Sequence, residues 1–168
     1  MEHTLMNAKK IWISNILFLT LAMLVSPAPR SFAEDLKLDY GPVGFWKTID
    51  DASEQPRSII KIWEQDGKLY GKIVKVFYRE GESENDLCIK CTGDNKNKPI
   101  LGLMILQGFT ENEGLWKNGT ILDPESGNVY KAKLALKEQS QAMDVRGYIG
   151  MPLLGRTQTW VRIEDSLS

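Results

Sequence analysis

Histidine is almost missing from this sequence: His3 is the single imidazole among 168 residues, and cysteine is limited to Cys88 and Cys91. Neither sign of charge dominates, with 21 Lys+Arg against 22 Asp+Glu and a net charge of −1. No basic surplus exists to neutralise phosphates, so nucleic acid is excluded as a partner. Beyond residue 25 no apolar run approaches the ~20 residues that a bilayer-spanning helix requires. Fixed-period repeats are missing too, while hydrophobic residues, 42% of the total, are spread along the chain. Collagen-like, solenoid and disordered classes are thereby excluded, and one ordinary globular domain is left.

The first 33 residues read as an export signal. Lys9 and Lys10 precede the apolar run Ile11 to Val25, and Ser31-Phe32-Ala33 offers a small-x-small cleavage site behind Pro27 and Pro29. The alternative, an uncleaved anchor, has only 15 apolar residues to work with. The expected mature chain starts at Glu34, and no cysteine follows the cleavage site to take a lipid. A soluble exported protein is expected, with the bacterial periplasm as its compartment. Cleavage leaves 18 of the 21 cations and 21 of the 22 carboxylates, a net −3 on 135 residues, and it discards His3. A chain with no imidazole runs no Ser-His-Asp or Cys-His mechanism and builds no His-ligated zinc site. No catalytic residue, metal site or cofactor is therefore assigned.

The remainder reads as strands. Gly44 to Ile49, Ser58 to Gln65, Lys68 to Tyr78, Ile100 to Phe109, Leu115 to Asp123, Asn128 to Lys137, Gln141 to Ile149 and Arg156 to Ile163 are eight short runs rich in β-branched and aromatic residues. Asp66-Gly67 joins two of them as a tight hairpin; Asn112-Glu113-Gly114 and Asp123-Pro124-Glu125-Ser126-Gly127 suggest longer loops. Tyr130, Ala132, Leu134 and Leu136 share one face, opposite Lys131, Lys133 and Lys137. Gly71, Gly102 and Gly147 fall inside runs, where barrel corners and bulges want them. No stretch has convincing helical periodicity. The expected architecture is all-β, a single antiparallel up-and-down barrel over residues 44–163, with residues 34–43 as an N-terminal extension and 164–168 as a tail. Such a barrel is either filled by side chains or holds one small ligand.

Gly44-Phe45-Trp46, Pro56-Arg57-Ser58, the Asp66 to Ile73 hairpin, Cys88-Ile89-Lys90-Cys91-Thr92-Gly93-Asp94, Ile121-Leu122-Asp123-Pro124 and the segments Val145 to Gly150 and Gly155 to Trp160 together resemble the uncharacterised bacterial exported family called domain of unknown function 2147. The resemblance spans about Gly44 to Arg162. It implies a lipocalin-like or calycin-like barrel in the cell envelope and no particular activity. The Gly-x-Trp on the first strand and an arginine on the last are similar to the calycin latch, implying that Trp46 is covered by Arg162 or Arg156. Stacking a guanidinium on an indole stabilises by ~0.5–2 kcal/mol.

Cys88 and Cys91 have the spacing of a redox motif but the wrong surroundings. Glu80, Glu82, Glu84 and Asp86 precede them and Asp94 follows, a field that disfavours the thiolate, and no strand-to-helix pattern surrounds them. A structural disulfide is expected, worth ~2 kcal/mol and enough to pin the loop between the third and fourth runs.

The last two runs carry the candidate site. Arg156, Gln158, Trp160 and Arg162 share one strand face, and Asp144, Arg146 and Tyr148 share another. Arg146, Tyr148, Arg156, Gln158 and Trp160 are the candidate ligand-binding residues, a lining suited to the acidic head of an amphipathic molecule. The competing reading leaves Asp144 and Arg146 solvated on an outer face. Three functions follow: a non-catalytic barrel binding a small hydrophobic or lipid-like ligand, an envelope interaction module with a packed interior, and an enzyme using carboxylates or the cysteine pair. No protein partner is identified. An enclosed volume of ~300 Å³ or more separates the first from the second.

Overall fold

Turn chemistry sets the topology. Asp66-Gly67 and Glu113-Gly114 each form a two-residue hairpin turn with positive φ at both positions, 52° and 70° in the first, 55° and 75° in the second. That geometry matches the right-handed twist of the strands it joins. The second turn is tighter than the sequence suggests, because Asn112 pairs directly with Leu115.

The computed structural model describes residues 41–165; the expected signal segment 1–33, residues 34–40 of the extension and residues 166–168 of the tail lie outside the described residues. The strands are β1 (Gly44–Ile49), β2 (Pro56–Gln65), β3 (Lys68–Val76), β4 (Met104–Asn112), β5 (Leu115–Leu122), β6 (Val129–Lys137), β7 (Ala142–Tyr148) and β8 (Gly155–Ile163). Each pairs antiparallel with the next, and β8 returns to β1 through Phe45↔Ile163, Trp46↔Arg162 and Lys47↔Val161. The result is a closed eight-stranded up-and-down barrel. Among the described residues, helical geometry is confined to the short 3-10 turns Gly93–Asn95 and Glu138–Ser140.

One strand starts four residues later than expected. Ile100 to Leu103 belongs to the β3–β4 loop, since Gly102 takes φ 89° and its N–H bonds the Ile73 carbonyl at 2.8 Å, folding the chain back before β4 begins. That loop is pinned by the Cys88–Cys91 disulfide. Both cysteines are fully buried, and Cys88 donates its N–H to Lys98 while accepting from the N–H of Asn97. The loop packs on the β5–β6 turn so closely that a Cβ on Gly127, already at φ 76°, would overlap the Lys90 carbonyl.

Register divides the side chains. Trp46 faces Ile60, Met143 faces Trp160, Leu134 faces Val145 and Gly71 faces Leu106, so these positions form the inner wall. The half of the barrel nearer the β2–β3 and β4–β5 hairpins is solid, filled by Trp46, Ile60, Ile62, Leu69, Leu106, Phe109, Leu134 and Met143. Gly119 has no side chain because the Phe109 ring occupies the space: an added Cβ would sit 2.6 Å from Cδ1 and closer still to Cγ.

Residues 41–43 seal this end. The Trp46 indole donates to the Pro42 carbonyl at 2.8 Å, and the Arg162 guanidinium stacks on its ring at 4.3 Å from the centroid. Arg162 also donates to the carbonyls of Ser140 at 2.6 Å, Val43 at 2.9 Å and Gly41. Arg162 is thus the residue over Trp46, and Arg156 lies at the opposite end of β8.

Candidate functional site

The other half of the barrel is open. A cavity of about 680 Å³ lies beneath the β1–β2, β3–β4, β5–β6 and β7–β8 loops. Its wall is apolar in depth, built from Ile73, Val76, Ile105, Ile121, Val145 and Trp160, and its mouth is ringed by Tyr78, Tyr130 and Tyr148. Strand alternation explains the division: residues at inward positions near the solid half are aliphatic, and those one or two steps nearer the loops are polar.

Tyr148, Arg156, Gln158 and Trp160 all line this cavity. Arg146 does not join them. Register pairs Arg146 with Thr157 and Val145 with Gln158, so Val145 takes the inward position and Arg146 the outer face. The buried pair Met143 and Val145 marks which β7 face points in, and taking that pair as the inner face would have placed Arg146 outside from the sequence onward; Tyr148 shares the parity of Arg146 and borders the cavity only at the rim, as the last residue of β7. Outside the barrel its guanidinium donates to the carbonyls of Pro152 at 2.8 Å and Leu153 at 3.2 Å and to Thr157 Oγ1 at 2.8 Å, which shapes the β7–β8 loop.

The mouth is strapped by ion pairs that cross between loops. Arg57 holds Glu82 bidentately at 2.7 and 2.9 Å and Glu125 at 3.0 Å; Arg79 reaches Asp50 at 2.6 Å; Arg156 pairs with Asp51. Gln158 donates to Asp51 at 3.3 Å and accepts from the Trp160 indole at 3.4 Å, so β8 and the β1–β2 loop are joined from the rim to the cavity floor. Deeper in, the hydroxyls of Thr48 and Ser58 lie 2.9 Å apart. None of the Arg57 partners was recognisable from the chain, because Glu82 and Glu125 come from loops 25 and 68 residues away. Among the described residues no three His, Cys, Asp or Glu side chains converge in a way that would hold a metal ion.

Hydrogen bonds from the hydroxyl and N–H of Ser53, aided by the Arg79 charge, hold the Asp50 carboxyl down at about 2. The hydrogen bonds from Arg57 lower Glu82 in the same sense, against the opposing effect of its partial burial. Carboxyls depressed in the folded state stabilise it above their unfolded pKa, and that contribution is lost as pH falls through the folded value. Thermal stability is therefore expected to stay flat down to about pH 5 and to fall between about pH 4 and 2. Melting curves followed by circular dichroism will show it, with a shallower fall in Glu82→Gln; equal slopes in the two proteins would remove Glu82 from the account.

Comparison with known proteins agrees with this architecture. The structure of protein HP1028 from the human pathogen Helicobacter pylori, described as belonging to the lipocalin family, superposes with a TM-score of 0.63 at 18% identity, covering 74% of this chain and 84% of that one. At that identity the likeness establishes the fold, a lipocalin-like barrel. Comparison with curated proteins gives no match. Residues 44–162, the whole barrel but its last position, match the family model described as an uncharacterised protein conserved in bacteria, DUF2147, and the chain belongs to that family.

Proposed function

We propose that this protein is an exported, non-catalytic carrier that holds an elongated apolar or amphipathic small molecule in the open half of its barrel. The observation that carries the reading is the half-filled interior. A barrel acting only through its outer surface has no use for an apolar space of 680 Å³ that more of the same aliphatic side chains would fill. Export is supported by the signal-like leader and by the buried disulfide, which persists in an oxidising compartment. Among the described residues no helix is long and apolar enough to cross a membrane.

The mouth favours an uncharged polar head over the acidic one that arginines alone suggest. Arg57 and Arg156 already hold carboxylates of the protein, so an acidic head would have to displace Glu82 or Asp51. A hydroxyl or ester group meets Tyr78, Tyr130, Tyr148 and Gln158 without that exchange. Titration with the neutral fluorophore N-phenyl-1-naphthylamine, followed by displacement with a long-chain alcohol and its matching carboxylate, tests both statements. Expected are saturable binding, stronger displacement by the alcohol, and a loss of at least about tenfold in Val145→Trp, whose indole projects from the wall across the apolar depth of the cavity. Unchanged binding in a folded Val145→Trp would remove the cavity from the reading.

A further inference from the structure

The β7–β8 loop displays what the rest of the barrel hides. Ile149, Met151, Leu153 and Leu154 are 71%, 64%, 83% and 70% exposed, four large apolar side chains within six consecutive residues. Val129, 58% exposed, begins β6 two residues before Lys131, which pairs with Tyr148, and so lies level with the start of this loop. Scattered surface leucines need no explanation, but a cluster of this kind marks an interaction site.

The loop is also built to hold these side chains exposed at the rim of the mouth. Gly150 takes φ 68°, the Leu154 N–H bonds the Met151 carbonyl at 3.0 Å, and Arg146 grips the carbonyls of Pro152 and Leu153 from below. Charge complements the apolar tip. Lys131 and Lys133 stand on the outer face of β6, paired in register with Tyr148 and Arg146, and neither lysine has an ion-pair partner among the described residues. On this side of the barrel Asp144 is held by Lys137 and Asp51 by Arg156, while Asp86 and Asp123, which have no cation partner among the described residues, lie on the β3–β4 and β5–β6 loops of the mouth. An apolar tip ahead of unopposed cations is the composition of a surface that enters the interface of an anionic bilayer. A second copy of the chain fits less well, since a two-fold contact through this corner would press cations against cations.

We infer that the β7–β8 corner of the barrel mouth docks onto an anionic phospholipid surface, with Ile149, Met151, Leu153 and Leu154 entering the interface and Lys131 and Lys133 facing the headgroups. Because Ile149, Leu153 and Leu154 also line the cavity, the apolar surface runs unbroken from bilayer to barrel interior, and a ligand moves between them without crossing water. That passage builds on the carrier reading; the docking itself does not.

The experiment is co-sedimentation with vesicles of phosphatidylcholine containing about a third phosphatidylglycerol, against phosphatidylcholine alone. Expected is binding to the anionic vesicles that weakens several-fold without phosphatidylglycerol or at high salt. Met151→Asp is expected to lower it at least about tenfold and Lys131→Glu/Lys133→Glu by a similar factor. None of these three residues lines the cavity, so binding of N-phenyl-1-naphthylamine in solution stays as in the parent protein. Failure of the parent to sediment with either vesicle, or equal sedimentation of parent and variants, overturns the inference. So does a concentration-dependent dimer that Met151→Asp dissolves in the absence of any vesicle binding. Loss of fluorophore binding beside intact sedimentation would instead sink the carrier reading and leave the docking surface standing.

Discussion

Replacing Arg162 with alanine is expected to lower the unfolding free energy by about 3–5 kcal/mol, close to what a small domain of this kind can lose before it no longer folds reliably. Three backbone carbonyls, from Gly41, Val43 and Ser140, depend on this guanidinium, and each hydrogen bond to a charged donor contributes about 1.5–3 kcal/mol where solvent is partly excluded. The stack on Trp46 adds roughly 0.5–2 kcal/mol. These contributions overlap, so the range expected is smaller than their sum. Arg162→Lys is expected to recover less than half, because a single ammonium cannot hold carbonyls from three directions while lying flat on an indole. Urea unfolding followed by tryptophan fluorescence measures both, and a loss below about 1 kcal/mol in Arg162→Ala would show that the seal over the closed end holds without it.

Trp160→Ala is expected to cost about 3–5 kcal/mol for a different reason. Its indole is 1% exposed and forms the boundary between the solid half of the barrel and the cavity. Removing it deletes a large buried apolar surface and joins the cavity to the space left beside Met143, its cross-strand partner. Stability and binding then move in opposite directions. The midpoint of urea unfolding falls, while bulkier apolar probes gain access to the enlarged interior, so displacement of the fluorophore by longer-chain alcohols improves relative to short ones. Trp160→Phe separates the two effects, since it keeps most of the floor while removing the donor to Gln158. If Trp160→Ala is as stable as the parent, or binds long and short chains in the same ratio, the indole is not the cavity floor.

The barrel itself was legible from local signals. Tight turns at Asp66-Gly67, alternation through Tyr130, Ala132 and Leu134, and β-branched runs of strand length are all short-range features, and the closed sheet follows from stacking them in order. The site was legible only in part. Tyr148, Arg156, Gln158 and Trp160 come together at one cavity, but Arg146 is on the opposite surface, because side-chain parity carries no absolute direction until a buried neighbour fixes it. Val145 and Met143 supply that reference on β7. Long-range pairing was not legible at all: the Arg57 grip on Glu82 and Glu125 needs three loops to arrive at one rim, and nothing in the spacing of those residues announces it. Of the exposed cluster after Tyr148 only Ile149 falls inside an expected run; Met151, Leu153 and Leu154 lie between two runs, where spacing assigns them no face, and the chain bends at Gly150 before them.

Closure of the sheet between β1 and β8 has a kinetic consequence. The seam joins Phe45 to Ile163, nearly the full span of the barrel, whereas every other pairing joins neighbours in the chain. Loop-closure entropy makes this the most expensive contact to form, so the seven sequential pairings can assemble all eight strands as a meander before it closes. During that interval β1 and β8 each present unpaired N–H and C=O groups, the template on which chains add to one another, and closing the sheet removes both edges. The chain at high concentration is therefore most vulnerable to aggregation before the β1–β8 seam closes, and Arg162, which sits on β8 and reaches across to the carbonyls of Gly41 and Val43, ends that interval as the seam shuts.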